Sequence, residues 1–163
     1  MSIEPQLSRP IMPGYGLPEG SAGPANASWE RAERLLTESR NYWIATTGRA
    51  GRPHAMPVWG LWMDGSFIFS TGRAARKGRD LAANPEIAVH LESGDDVVIL
   101  EGAVEELDGA AILDRYIEAY DSKYEVRPDP SDPAAAVYEL RPRVAFTWLE
   151  ADFVESAARW TFQ

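Results

Sequence analysis

The chain has 163 residues, a length typical of one domain that buries about two-thirds of the surface of its unfolded state. Its formal net charge is -9 and its pI is about 4.7, so it lacks the basic stripe that binding to nucleic acid requires. It contains no cysteine, which excludes a disulfide framework, a thiolate metal site and a cysteine nucleophile.

Residues 1–27 are predicted to form an irregular N-terminal arm, and residues 28–163 a single domain. The arm is rich in proline and glycine and has neither the apolar core of a signal peptide nor the long apolar run of a transmembrane helix. We therefore expect a cytoplasmic protein that does not bind a membrane. The arm is either disordered or, because it carries apolar side chains such as Ile11 and Tyr15, lies against a neighbouring subunit.

The first regular elements after the arm are predicted to be a helix and three strands. Ser28 is expected to cap an amphipathic helix that runs to about Ser39. The strands are rich in aromatic and β-branched residues and are separated by a glycine-rich segment and by the Asp64-Gly65 turn, so we expect an antiparallel meander. They are predicted at residues 42–47, 53–63 and 67–71.

The remainder of the chain is predicted to add strands and two helices. A short helical stretch follows the third strand and ends at Asn84-Pro85. The later elements are strands at 86–92 and 97–107, a helix at 109–120, a loop at 124–132, and strands at 136–140, 144–149 and 158–162. Together they predict a mainly β fold, an antiparallel barrel of six to eight strands with peripheral helices.

The junction between the third strand and its helix has the features of an anion site. Ser70 and Thr71 end the strand, and Arg73, Arg76 and Lys77 follow directly. A helix start offers free backbone N–H groups and the positive end of a dipole, and nearby cations add charge-assisted hydrogen bonds. A phosphorylated ligand would fit here. The alternative is that the three cations form a solvated helix face.

The second predicted strand, residues 53–63, is apolar on both faces, whereas a barrel wall that faces water alternates apolar with polar residues. A planar aromatic cofactor and a second subunit would cover the outer face. Alternatively, the strand is buried on both faces against the N-terminal helix. Pro57 lies inside this strand, which indicates an edge, a bulge or a split in the barrel.

Residues 45–85, ATTGRAGRPHAMPVWGLWMDGSFIFSTGRAARKGRDLAANP, resemble the pyridoxamine 5'-phosphate oxidase-like superfamily of split β-barrels, whose members bind FMN or the deazaflavin F420. They are most similar to the branch of flavin and deazaflavin oxidoreductases that is common in actinobacteria, in which the motifs GRPH, PVWG, FSTG and RK recur in this order. The similarity extends from about Trp29 to about Leu107 and is weaker beyond. It implies an FMN-binding type of split barrel that forms a homodimer with the cofactor at the subunit interface.

The resemblance also implies particular contacts with the cofactor. The ring system would lie along the second strand and the phosphate at the strand-to-helix junction. The implied residues are Met56, Pro57, Val58 and Trp59 for the ring, and Ser70, Thr71, Arg76 and Lys77 for the phosphate. Arg73 falls between matched positions and is a weaker candidate. Trp160 lies in a C-terminal segment that reaches the partner's cofactor in relatives.

The function implied by the resemblance is hydride transfer between bound F420, or alternatively FMN, and a small organic substrate. No catalytic side chain is expected, because such a cofactor performs the redox chemistry itself. The chain lacks the basic residues that true pyridoxamine 5'-phosphate oxidases place near the flavin, and their C-terminal arginine and histidine set. Oxidation of vitamin B6 is therefore not expected.

Two functions of other classes stay open on the sequence alone. One is a carrier that binds a flavin, bilin or haem in the same groove without turnover. The other is a structural dimer with an empty groove, which would leave the cluster of cations without a role. His54 and His90 are the chain's two histidines, and neither has a companion at metal-ligand spacing, so we expect no metal site. His54 is expected to face the substrate pocket and His90 to be structural.

Overall fold

The computed structural model describes residues 4–20 and 22–163. Within these residues the chain forms ten strands and four α-helices, and neighbouring strands run antiparallel in a network that does not close into a complete barrel. The predicted fold class, a mainly β split barrel with peripheral helices, is confirmed. The described strands number ten instead of six to eight, because the predicted second strand is divided in two and β1, near the N-terminus, joins the sheet.

The strands and helices have the following bounds. The strands are β1 (Gln6–Ser8), β2 (Tyr42–Thr47), β3 (Pro53–Val58), β4 (Gly60–Met63), β5 (Ser66–Gly72), β6 (Glu86–His90), β7 (Asp96–Glu106), β8 (Ala135–Leu140), β9 (Val144–Leu149) and β10 (Ala158–Thr161). The helices are α1 (Trp29–Glu38), α2 (Arg76–Ala83), α3 (Ala110–Tyr124) and α4 (Phe153–Ser156), the last preceded by a 3₁₀ turn at Glu150–Asp152.

Helix α1 begins where the sequence predicts it. The Ser28 hydroxyl accepts a hydrogen bond from the Arg31 amide at 3.2 Å, which satisfies one of the free N–H groups of the first turn. Trp29, Ala32 and Leu36 lie on one stripe of the helix and are buried against the barrel. The helix therefore covers one side of the main apolar core.

The barrel splits at Trp59. Strand β3 pairs with β2, whereas β4 pairs with β5 through a tight turn at Asp64 and Gly65. Both turn residues have positive φ angles, 51° and 80°, as a two-residue hairpin of right-handed twist requires. Strand β3 ends the row of strands, so the missing N–H of Pro57 costs little there. The predicted interruption near Pro57 is thus confirmed, and it lies at Trp59, two residues further along the chain.

Strand β7 joins the two halves of the barrel. It pairs with β6 and β9 along its first part and with β8 near its end, where Val104 lies opposite Leu140. Side chains on the inner face of β2, including Tyr42 and Ile44, are fully buried in the main core. A second apolar cluster, with Leu61 among its members, fills the space between α3 and the β4–β5 hairpin.

Two predicted boundaries are wrong. The arm that we expected to be irregular contains β1, in which Leu7 pairs with Trp160 of β10. Helix α3 continues to Tyr124 instead of ending near Tyr120, because Tyr124 is buried and its hydroxyl bonds to the backbone of Gly60. The α3 boundary thus depends on a contact with a distant part of the chain.

Candidate functional site

Four arginines line an open cleft of about 660 Å³ beside the start of β3. Arg49 and Arg52 come from the β2–β3 loop, and Arg76 and Arg79 come from α2. Asp80 is the one carboxylate among the residues that line this cleft. The cleft is therefore strongly electropositive in a chain whose net charge is -9. We call it the arginine cleft.

Helix α2 is held against the barrel by a short polar network. The Thr46 hydroxyl donates to Asp80 Oδ2 at 2.9 Å, and the same carboxylate oxygen lies 3.8 Å from Nε of Arg76. Arg76 Nη2 in turn donates to the carbonyl oxygen of Pro53 at 3.5 Å. This network fixes the arginine over the first residue of β3. No side chain caps the first turn of α2, so no side chain competes with an anion for its backbone N–H groups.

The four residues predicted to bind phosphate do not all meet in one cavity. Arg76 lines the arginine cleft, and Lys77 is half-buried in the same turn of α2. Ser70 instead lines a separate cavity of about 180 Å³, together with residues of α3. Thr71 is the next residue of the strand, so its side chain points to the opposite face from Ser70. Their role in phosphate binding stays a prediction.

Arg73, the weaker candidate, is engaged elsewhere. Its two terminal nitrogens, Nη1 and Nη2, both donate to the carboxylate of Glu106. This hydrogen bond raises the pKa of Arg73 and lowers the pKa of Glu106. Its charge is therefore compensated at the mouth of the cavity that Ser70 lines.

The residues predicted to contact a ring lie along the edge of the sheet. Met56 is 44% exposed, Pro57 is exposed, and Val58 is half-buried against the main core. In the described chain β3 has one strand neighbour, β2, so its other edge presents unpaired backbone groups. An apolar, exposed strand with free backbone donors and acceptors is suited to a flat heteroaromatic ligand.

Trp59 belongs to an aromatic cluster instead of continuing this edge. Its indole stacks on the ring of Tyr124, with the centroids 4.7 Å apart and the planes 8° from parallel. The ring of Tyr120 lies 4.7 Å from that of Tyr124. The guanidinium of Arg40 lies 5.2 Å from the indole centroid and 5.5 Å from the Tyr124 centroid. Helix α3 thus provides the wall against which Trp59 rests.

Lys123 forms hydrogen bonds that connect the elements around this aromatic cluster. Its ammonium group donates to the Tyr42 hydroxyl at 2.8 Å, to the Gly60 carbonyl at 3.2 Å and to the Thr37 carbonyl at 3.4 Å. Burial, and to a smaller extent the charge of Arg40, lower the pKa of Lys123 to about 8. Burial also raises the pKa of Tyr42 above its ordinary range, so its hydroxyl stays neutral beside the ammonium.

The histidines and Trp160 occupy different settings. His54 is half-buried on β3, opposite Thr46. His90 stacks on Trp43 and its Nδ1 lies 2.8 Å from the carbonyl of Leu91, which fits a structural role. The indole of Trp160 is buried in the core of its own chain and donates to the Thr147 hydroxyl at 2.9 Å. A contact between the C-terminal segment and a partner's cofactor stays a prediction.

Two further negative findings apply to residues 4–20 and 22–163. No group of three or more histidine, aspartate or glutamate side chains is arranged to hold a metal ion there. No helix in this part of the chain is both long and apolar enough to span a bilayer.

Sequence reasoning missed four arginines. Arg49 and Arg52 are three residues apart in the GRAGRP loop. Arg79 follows Arg76 by three residues, which puts both on one face of α2. These two spacings were the available signals. Arg40 had no such signal, because its position beside Trp59 and Tyr124 depends on the packing of α3 against the split in the barrel.

The open sheet, with its exposed edge strand β3 beside the arginine cleft, defines the protein as a split β-barrel. Sequence comparison agrees, since residues 28–149 match the family model described as pyridoxamine 5'-phosphate oxidase. The chain belongs to this family and to its wider split-barrel superfamily. A comparison with curated proteins gives no match.

Solved structures with the same fold include proteins of different descriptions. A conserved hypothetical protein from Mycobacterium tuberculosis aligns with a TM-score of 0.67 at 21% identity, over 81% of this chain and 90% of that one. A heme binding protein from Mycobacterium smegmatis gives 0.62 at 21% identity, over 73% and 52%. A protein described as an F420 reductase gives 0.55 at 22% identity, over 69% and 94%. At these identities the likeness establishes the fold.

Proposed function

We propose that this protein is an oxidoreductase that binds F420, with FMN as the alternative cofactor, and transfers a hydride between it and a small organic substrate. The observation that carries the proposal is the arginine cleft at the start of an exposed edge strand. The protein described as an F420 reductase has the same fold, which supports the choice of cofactor class.

The arginine cleft supports F420 over FMN through its charge. FMN carries a single phosphate group, whereas F420 carries a phosphodiester and a chain of glutamate residues. Four guanidinium groups and one carboxylate line the cleft, which is more positive charge than one phosphate needs. Arginine also pairs with carboxylates as readily as with phosphates, because its planar fork matches both. An extended polyanionic tail makes use of all four side chains.

The edge of β3 supports the placement of the ring. Met56 and Pro57 offer exposed apolar surface, and the free edge offers backbone donors and acceptors for the polar rim of a flavin-type ring. Arg76 reaches the carbonyl of Pro53, so the anion-binding groups lie at one end of this strand. A ligand with a ring at one end and anionic groups at the other lies along it.

A homodimer is part of the proposal. The outer face of the sheet carries a continuous row of apolar and aromatic cross-strand neighbours that spans five strands: Pro57, Trp43, His90, Ile99 and Phe146. In the single chain Pro57 is exposed and the others are only half-buried. A second copy that covers this row would also cover the exposed edge of β3 and so enclose the ring of the cofactor.

The residues of this chain bind, orient and shield, and the cofactor supplies the chemistry. When bound, it supplies the hydride, from C5 of reduced F420 or N5 of a reduced flavin. The substrate gains this hydride and a proton from water. Unsaturated or carbonyl compounds that stack on a flat ring are suitable acceptors. The arginines fix the anionic tail, and the apolar edge excludes water from the ring.

A carrier without turnover is the second candidate, and the heme binding protein among the structural neighbours favours it. A haem iron requires an axial ligand. His54 is the histidine nearest the proposed groove, since it lies on β3 itself. Mixing the protein with haemin separates the two functions, because a carrier gives a shifted Soret band that the substitution His54→Ala abolishes.

The test of the main proposal is a titration with oxidised F420 and with FMN, followed by Arg49→Gln combined with Arg52→Gln. We expect F420 to bind at least about tenfold more tightly than FMN. Each lost charge-assisted bond should weaken F420 binding roughly tenfold or more. Reduced F420 should then be consumed when 2-methyl-1,4-naphthoquinone is added, as followed by absorbance.

Arg115→Gln is the matched control, because Arg115 is an exposed arginine of α3 that pairs with Asp64 in the β4–β5 turn and does not line the arginine cleft. It should leave the affinity for F420 unchanged. The proposal is wrong if neither cofactor binds, or if the double variant binds F420 as tightly as the native protein does. A single-chain mass in solution in the presence of F420 would contradict the homodimer.

A further inference from the structure

We propose that Arg40, together with Trp59 and Tyr124, forms the binding site for a planar acceptor that carries a negative charge. The inference rests on the proposed redox function for its substrate role, but the site itself is defined by the geometry of these three side chains. It assigns a substrate class, flat anions, to a protein whose substrate the family resemblance leaves open.

The three side chains form an aromatic platform with a cation at its edge. The two ring centroids lie 4.7 Å apart, and Arg40 Cζ lies 5.2 Å from one and 5.5 Å from the other. Because these three distances are nearly equal, Arg40 sits beside the stacked pair and not on the outer face of Trp59. Trp59 is 36% exposed, so part of its side chain is accessible to a ligand. A flat molecule stacked there would bring an anionic substituent to the guanidinium.

The hydrogen-bond donors of the Arg40 guanidinium are available to a ligand. In the described part of the chain no carboxylate lies within 4 Å of it, and its side chain donates no hydrogen bond to the protein. It is also exposed. An arginine that is already held beside two aromatic rings has lost much of its side-chain freedom, so pairing it with an anion costs less entropy.

Lys123, the other cation of the cluster, does not compete for the anion. Its ammonium faces three oxygen acceptors, those of Tyr42, Gly60 and Thr37. Tyr124 is likewise committed, since its hydroxyl bonds to the backbone of Arg40 and of Gly60. These contacts hold the aromatic platform in place and leave Arg40 as the cation that binds the anionic group of the ligand.

The position of the platform is the one that a substrate needs. The arginine cleft adjoins Pro53 at the first residue of β3, and Trp59 directly follows the last residue. The extended chain between them spans about 20 Å at about 3.3 Å per residue. A cofactor that is anchored by its tail at one end of this strand therefore directs its ring toward the platform at the other.

The test compares an anionic with a neutral quinone of similar shape. Binding of 1,4-naphthoquinone-2-sulfonate and of 2-methyl-1,4-naphthoquinone is measured by calorimetry on the full chain, first alone and then with oxidised F420. We expect Arg40→Gln to weaken binding of the sulfonate roughly tenfold or more and to leave the neutral quinone unchanged. Arg40→Lys keeps the charge but loses the planar fork, so its affinity should be intermediate.

Arg34→Gln is the matched control, since it removes the same charge from an exposed position on α1. It should bind both quinones like the native protein, and thermal melts confirm that each variant is folded. The inference is overturned if the native protein does not bind the sulfonate in either state, or if Arg40→Gln binds it equally well.

Turnover separates this inference from the proposed function. If the sulfonate binds through Arg40 but reduced F420 is not oxidised, the site stands and the redox function fails. If reduced F420 is oxidised by both quinones and the ratio of their kcat/KM values is the same in Arg40→Gln, the redox function stands and the inference fails.

Discussion

Replacement of Lys123 by methionine should change how the stability of the fold depends on pH. The ammonium of Lys123 is half-buried, and its pKa falls from an ordinary value of 10.5 to about 8. Between these two values the unfolded chain holds a proton at this site that the folded chain has released. Stability therefore rises with pH across this window, because the unfolded state binds more protons there.

The size of the effect follows from the shift. A fully realised shift of this size would raise the free energy of unfolding by about 2 kcal/mol between about pH 7 and about pH 9.5. Because Lys123 is half-exposed, solvent screening reduces this to about 1 kcal/mol. Lys123→Met lacks the titrating group and so lacks the rise. Tyrosines of the unfolded chain begin to ionise near the upper end of this range and lower the stability of both proteins, so the effect of Lys123 is taken from the difference between the native protein and the variant.

The assay is urea unfolding of the native protein and of Lys123→Met at pH steps across this range. We expect the free energy of unfolding of the native protein to rise by about 1 kcal/mol relative to the variant. Lys77→Met, which removes the chain's other lysine, serves as the control and should parallel the native curve. Native and Lys123→Met curves that run parallel over the whole range would refute the reasoning.

Two further predictions concern packing and hydrogen bonding. Gly78→Ala should lower the free energy of unfolding by about 1–3 kcal/mol, because a Cβ at this position of α2 would lie 2.8 Å from the carbonyl oxygen of Arg73. An unchanged midpoint of thermal unfolding would contradict that close approach. Trp160→Phe should cost about 1–3 kcal/mol in urea unfolding, since the buried Thr147 hydroxyl loses the indole donor at 2.9 Å. Adding Thr147→Val to Trp160→Phe should recover part of this loss, and strictly additive losses would show that the bond contributes nothing.

Local chemistry in the sequence was enough to locate many of the elements. Ser28 marked the start of α1 because a serine hydroxyl satisfies a free amide in the first turn. Asp64 and Gly65 marked the β4–β5 turn because few residues adopt positive φ without strain. These signals act over a few residues, so they can be read without knowledge of the rest of the chain.

The residues of the arginine cleft were only partly predictable. The cluster at Arg76 was visible as a run of cations, but its true neighbours, Arg49 and Arg52, lie on the preceding hairpin loop. Ser70 was grouped with them by proximity in sequence, although the alternation of side chains along β5 turns it toward α3. Sequence proximity therefore indicated a cluster of cations near α2 but not which other elements supply arginines to the same cleft.

By itself the sequence determined the fold class, the order of the strands along the chain and the presence of a cluster of cations after β5, because hydrophobic alternation, turn residues and charge clusters are local properties. Only the tertiary structure decided that the strand containing Pro57 divides at Trp59, that two arginine pairs from different elements share one cleft, and that Arg40 lies beside Trp59 and Tyr124. Those contacts join side chains that are far apart along the chain, and they form only when the barrel and its helices pack together.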